Sequence, residues 1–468
     1  MRNNGFFEWR VATRTVATLA LALAVAGCGG EVGSSGTAAD ATSGGSDGTV
    51  GDDGTGAADG AAGSDTAASD SAGTDATAAD TGGSQCGAPT GQRPSRRSEH
   101  VAVFDPKHNK LVSFGGSFGV PENCGFPTPT FESETWIYDP VCDSWTESKA
   151  TGPSGRVRAA AVWVESLGKV VVMGGRRRNG PSGNYTLLND AWAYDVGADS
   201  WTQLSDGAGI TPRFNHTMVY AAERNELLVF AGNLSPSGLQ YTANADVYAY
   251  SFANGTWSKL TTSGTGPNKR FFAGGVWDPK RKRMVIYGGA DESLFNQNAK
   301  YMSDLWALDF QSDPPAWSKI DGSASTKPDA RFWGELAYDG KTDRYVLFGG
   351  HDDAAQGNRN DLWGFDASAG DWGTLRYGDI WNKPANGFCS FPPDFTKVDE
   401  DAPERRSGGA VAAAPGGIWV MAGKTDCGII DDLFYFDYAK GAWEERTTAT
   451  VGEACLRKGG LSCNDYCF

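Results

Sequence analysis

Histidine is scarce in this chain of 468 residues, with four in all, and no stretch is apolar for the length of a membrane-spanning helix. The apolar run over residues 16–26 is about half of the roughly 20 residues a span needs. Between residues 29 and 85 there is no lysine, no arginine and no aromatic side chain. No helical periodicity of useful length follows residue 28, and no nucleophile elbow, phosphate loop or zinc knuckle occurs. A net basic face is missing as well. Of the formal charge of −16, the first 28 residues contribute +2 and the next 57 contribute −10, which leaves −8 for residues 86–468. That balance excludes a nucleic-acid partner, which requires a cationic surface.

What is present begins with a leader. Arg2, Arg10 and Arg14 precede the short apolar run, which ends in small residues at Gly27-Cys28; this is the pattern of a secretory signal. Val25-Ala26-Gly27-Cys28 resembles the bacterial lipobox. The resemblance implies cleavage after residue 27, lipidation of Cys28 and, with Gly29 in place of Asp, sorting to an outer membrane. Residues 28–85 then form a lipidated stalk of Gly, Ala, Ser, Thr and Asp. It holds too little apolar surface to offset chain entropy and is expected to be disordered. The domain is thus expected in the cell envelope, periplasmic or surface-exposed, touching the membrane through its anchor alone.

Eight further cysteines, Cys86, Cys124, Cys142, Cys389, Cys427, Cys455, Cys463 and Cys467, form an even set in an exported chain and read as disulfides. The last three have spacings that suit no zinc module. No metal or other cofactor is expected.

A six-fold repeat organises the rest. Tryptophans recur at Trp145, Trp201, Trp257, Trp317, Trp372 and Trp443, and an aromatic-Asp pair or a near variant stands about six residues before each. Further upstream lies Gly-Gly or Ala-Gly after an apolar run, as at Gly115-Gly116 and Ala231-Gly232. The short, β-branched and aromatic stretches between turn residues predict four antiparallel strands per unit. Lys110–Phe114, Lys169–Met173 and Arg283–Tyr287 are the predicted second strands. A sheet with two apolar faces cannot stand alone, so the units are expected to stack radially into an all-β, six-bladed propeller.

The diglycine, the Tyr-Asp pair and the following Trp resemble the Kelch repeat. The propeller is assigned to 86–448, with repeats at about 93–152, 153–209, 210–266, 267–326, 327–402 and 403–448, and a Cys-rich tail at 449–468. The resemblance fixes fold, not function. Kelch propellers include protein-binding scaffolds, sugar-binding modules and enzymes.

Two positions recur in every unit: Arg97, Arg156, Arg213, Arg270, Arg331 and Arg406, and the acids Glu134, Asp190, Asp246, Asp304, Asp361 and Asp432. Six equal copies suit a repeated blade junction better than a ligand site. Specificity is expected where the copies differ. Two residues after each Arg stand Glu99, Arg158, Asn215, Phe272, Trp333 and Gly408, and the loops after the second strands carry Arg176, Arg177, His351, Asp352 and Asp353. A rim of aromatics and charges suits a protein or glycan. The predicted role is a non-catalytic recognition module on this variable-loop face. The alternative is a carbohydrate-active enzyme of the sialic-acid mutarotase or galactose-oxidase kind. His100 and His216 are expected to be hydrogen-bonded strand-end residues. Ring closure is expected to use a disulfide among Cys124, Cys389 and Cys427, because no swapped strand is evident.

Overall fold

A computed structural model describes residues 86, 91–119, 128–238, 240–294, 299–322, 326–352, 357–381, 395–397, 399–425 and 428–450. Within them lie six antiparallel blade sheets, one per repeat, and three two-stranded ribbons. The predicted second strands have the expected bounds. The innermost strands are Val101–Asp105, Ala160–Val164, Thr217–Ala221, Gly274–Asp278, Glu335–Asp339 and Ala410–Ala414. Each packs against the next, and Val101–Asp105 packs against Ala410–Ala414, so the ring closes. The helical content among the described residues is one 3-10 turn, Ala222–Arg224.

Blade 1 shows how the repeat makes a sheet. Tyr138, next to last in the third strand, lies opposite Trp145 on the fourth, with ring centroids 5.0 Å apart. Tyr194 and Trp201 repeat this in blade 2 at 5.0 Å, and Tyr250 and Trp257 in blade 3 at 5.1 Å. The six-residue spacing is therefore the register of a tight hairpin. The tryptophan edge reaches the preceding blade: Trp201 Nε1 donates to Thr135 Oγ1 at 3.1 Å, and Trp145 Nε1 to Thr447 Oγ1 at 3.2 Å across the closing junction.

The diglycine performs a second junction task. The N–H of its second residue donates to the carbonyl of the next blade's arginine, from Gly116 to Arg156 at 3.0 Å through Gly350 to Arg406 at 3.2 Å. Gly423 of blade 6 donates to Arg97 of blade 1 at 2.9 Å, so closure repeats the other junctions without a swapped strand. Cys124, Cys389 and Cys427, the expected closing cysteines, lie outside the described residues, as do Cys28, Cys455, Cys463 and Cys467. Cys86 and Cys142 form a disulfide, tying the start of the domain to the turn between the third and fourth strands of blade 1.

Candidate functional site

The recurring arginines are braces. All six are buried, and each Nε donates to the carbonyl two residues earlier, as from Arg156 to Ser154 at 3.0 Å. Each Nη1 also reaches the carbonyl of the first residue of its own blade's Gly-Gly or Ala-Gly pair at 2.9–3.1 Å. Five of the six bond the acid of their own blade: Arg97–Glu134, Arg156–Asp190, Arg270–Asp304, Arg331–Asp361 and Arg406–Asp432, at 2.5–2.7 Å. Burial pushes the Asp190 and Asp304 carboxyls up, but the paired guanidinium outweighs it and holds both below the ordinary range. Blade 3 differs. Asp246 pairs with Lys259 at 2.6 Å, and Arg213 lies over the Tyr248 ring at 4.7 Å. In blades 1, 2, 4 and 5 a Trp two residues after the acid donates its indole N–H to it; Tyr248 takes that place in blade 3 and supplies no such donor.

Two residues beyond each brace the chain turns left-handed. The φ angles are 62° at Glu99, 58° at Arg158, 54° at Asn215, 60° at Phe272, 56° at Trp333 and 59° at Gly408. The N–H of Glu99 donates to Gly408 O at 2.7 Å, and four further bonds carry the pattern through Arg158, Asn215, Phe272 and Trp333 at 2.9–3.1 Å. These six residues form a collar at one end of a central channel of about 380 Å³.

The collar is lopsided. Arg158 bonds the Glu99 carboxylate and lies 5.1 Å from the Trp333 ring centre and 5.4 Å from that of Phe272. Those two rings are themselves 4.2 Å apart. The aromatic side extends through Tyr241 stacked on Phe271 at 5.2 Å and Tyr301 stacked on Phe332 at 5.8 Å. On the charged side, Arg176 and Arg177 pair with Thr186–Leu187 in a two-stranded ribbon. Arg176 packs over Tyr185 at 3.9 Å and Phe214 at 4.6 Å, and Arg178 covers Tyr185 at 4.7 Å. Arg177 points to Asn179 at 3.0 Å.

Burial pushes the Glu99 carboxyl up, yet Arg158, Arg176 and Lys424 together hold it below the usual carboxylate range. Burial, and then the neighbouring Arg158, pull Arg176 down to about 10. Two guanidinium groups thus share one carboxylate. The Nε atoms of both arginines and the Asn215 amide have no hydrogen-bond partner among the described residues. An anionic group brought to this mouth would find both charge and donors.

His351 lies beside the mouth in a ribbon with Gly357–Asn358, with its Nδ1 2.7 Å from Asn358 Oδ1. Asp352 shares that ribbon by its backbone, and Asp353 lies outside the described residues. The expectation for His100 and His216 is corrected: their ring nitrogens are buried with no hydrogen-bond partner among the described residues. Burial, and then the nearby Arg97 or Arg213, push each down to about 3 and keep the ring neutral. Among the described residues no group of three or more His, Cys, Asp or Glu is placed to hold a metal, and no helix is long and apolar enough to cross a membrane.

Sequence reading missed the aromatic set behind the collar. Its signal was available: Phe214, Phe271 and Phe332 each directly follow a brace arginine. Tyr185 carries no such signal, because it does not stand at a fixed distance from a brace arginine; it lies in the loop after the second strand, whose counterparts in other blades differ in length and sequence.

A family model described as the KLHDC2/KLHL20/DRC7 Kelch-repeats domain matches residues 75–222 and 204–391. The chain belongs to the Kelch-repeat family. Among its relatives, Mei4-dependent protein 6 of Schizosaccharomyces pombe is 26% identical over 54% of this chain and 36% of its own length. Kelch domain-containing protein 10 of Xenopus tropicalis is 29% identical over 36% of this chain and 38% of its own. Rab9 effector protein with kelch motifs of Xenopus laevis is 27% identical, covering 44% and 53%. The chain therefore spans between about a third and about half of these relatives. A Kelch propeller domain is typically a protein-binding module.

Proposed function

We propose that this Kelch propeller is a non-catalytic recognition module that takes an anionic group of a protein or glycan at its collar. The observation that carries the reading is the set of five non-glycine residues held at φ 54–62° around the mouth. Left-handed backbone favours glycine, and blade 6 has it there, at Gly408. Glu, Arg, Phe and Trp at such positions cost stability, by about 1 kcal/mol or more each. Strain of this kind clusters at ligand sites, and here it coincides with two guanidinium groups, Arg158 and Arg176, that have the single carboxylate of Glu99 between them.

The leader motif adds a location. The propeller is held by the Cys28 lipid on its stalk at the cell envelope, sorted to the outer membrane. Metabolic labelling with an alkynyl fatty acid tests this, with label expected on the wild type and absent from Cys28→Ala. Cross-linking in intact cells, together with a glycan array, tests recognition. Arg176→Ala and Trp333→Ala should each weaken capture by about tenfold or more. Capture unchanged in both variants would discard the collar as the site. Turnover of a sialic acid or galactose substrate would reassign the protein as an enzyme.

A further inference from the structure

The ion pair at the collar is unlike the brace pairs behind it. In blades 2, 4, 5 and 6 the brace guanidinium meets its acid through two parallel bonds, Nη1 to Oδ1 and Nη2 to Oδ2. That fork geometry is what makes such pairs strong. Arg158 and Glu99 share a single bond, from Nη2 to Oε1, and the Arg158 Nε has no partner among the described residues. The contact is also outside the repeat. At the same position the other four blades place Asn215, Phe272, Trp333 and Gly408.

Arg158 reaches far for this one bond. The inner strands follow one another around the ring in chain order, which sets blade 5 opposite blade 2. From blade 2 the guanidinium bonds Glu99 of blade 1 and covers Phe272 of blade 4 and Trp333 of blade 5, at 5.4 and 5.1 Å from their ring centres. It thus lies across the mouth of the channel that all four residues help to line. Beside it, the Arg176 Nε also has no partner among the described residues, nor has either polar atom of the Asn215 amide, a residue only 8% exposed.

We propose that Glu99 is a built-in occupant of the anion site: its carboxylate holds the place of the ligand's, and a ligand carboxylate binds by exchanging with it on Arg158. This rests on the reading of the collar as an anion site and adds how that site is regulated. The exchange replaces one carboxylate by another and starts from a pair held by one bond. An incoming group between Arg158 and Arg176 can accept from the Nε donors that Glu99 leaves idle. Because the empty site fills itself, the apparent affinity of the wild type is the intrinsic one reduced by the fraction in which Glu99 is displaced. Removing the internal carboxylate should therefore tighten binding, whereas loss of a merely structural ion pair would weaken it.

The test is a ligand-observed NMR titration of the full chain with two carboxylates, N-acetylaspartic acid α-methylamide and methyl glucuronide, against methyl glucoside as the uncharged control. Glu99→Gln should tighten at least one carboxylate by about fivefold or more and leave the control unbound. Glu99→Asn is the companion variant should the first fold poorly, because φ is 62° at this position and Asn enters left-handed backbone more readily than Gln. The thermal midpoint of either variant should also rise more on adding that carboxylate than the midpoint of the wild type does. Preference for the aspartate derivative would assign the ligand group to an acidic peptide side chain, and preference for the glucuronide to a sugar acid. Wild-type binding that both variants leave unchanged or weaken would overturn the internal occupant and keep the anion site. No carboxylate binding in wild type or variants would overturn both.

Discussion

Removing one brace arginine strands several groups at once. In Arg156→Met the Asp190 carboxylate would lose its guanidinium, and the Gly174 and Ser154 carbonyls would lose donors. Breaking a buried pair from one side typically costs about 3–5 kcal/mol, and urea unfolding of this variant should show a loss of that order. Lys259→Met removes an ion pair whose lysine is more than half exposed, so its effect should stay within about 0.5 kcal/mol. The two buried imidazoles predict an acid response. An unfolded histidine protonates near pH 6.5, whereas His100 and His216 in the fold resist protonation down to about 3. The unfolded chain thus binds more protons below pH 6.5, and stability present above that value is lost as pH falls toward 3. At pH 5 each contributes a loss of about 2 kcal/mol. His216→Leu should flatten the stability–pH curve between about pH 6.5 and 4, and an unchanged slope would refute the neutral, unpartnered assignment.

At the scale of the element, the paired glycines show why one position varies between repeats and its neighbour does not. The first residue lies at φ 48–77°, a region alanine can enter, and blades 3 and 6 have Ala231 and Ala422 there. The second lies at φ 96–119°, outside the left-handed well of ordinary residues, and is glycine in all six. A Cβ on Gly232 would also stand 2.8 Å from the His216 Cβ. Gly232→Ala should therefore cost more than about 2 kcal/mol, while Ala231→Gly should fall within about 1 kcal/mol of the wild type; equal effects in chemical denaturation would contradict this account. The same contrast explains what was legible beforehand. Six copies of a backbone constraint leave a periodic trace, and the strands, hairpin registers and brace arginines all left one. The Arg176–Tyr185–Arg178 stack and the brace-less Asp246 occur once each. Nothing in a repeat pattern distinguishes them from ordinary variation, so only three-dimensional neighbours bring them forward.

For the whole molecule, the question is what keeps a ring of six similar blades shut where its ends meet. The junction between blades 6 and 1 has the same backbone bond as the other junctions, Gly423 to Arg97, and a Trp145 indole bond like those of Trp201 and Trp257. It adds two of its own: Arg446 bonds Asp143 at 2.6 Å, and Arg93 lies 3.4 Å from Asp431. Both ties are partly exposed and contribute little individually. The described disulfide works differently, because Cys86–Cys142 joins two points of the same end of the chain, 56 residues apart. It does not cross the closing junction. Its effect falls on the unfolded chain, where closing a loop of that length removes entropy equivalent to about 4 kcal/mol. Cys86→Ser with Cys142→Ser should lower urea-unfolding stability by up to that amount while leaving the collar site intact. A loss of ligand binding in step with the cysteines would instead mean that the disulfide shapes the folded ring. An effect below about 0.5 kcal/mol would show that the reduced, unfolded first blade is already as compact as the cross-linked one.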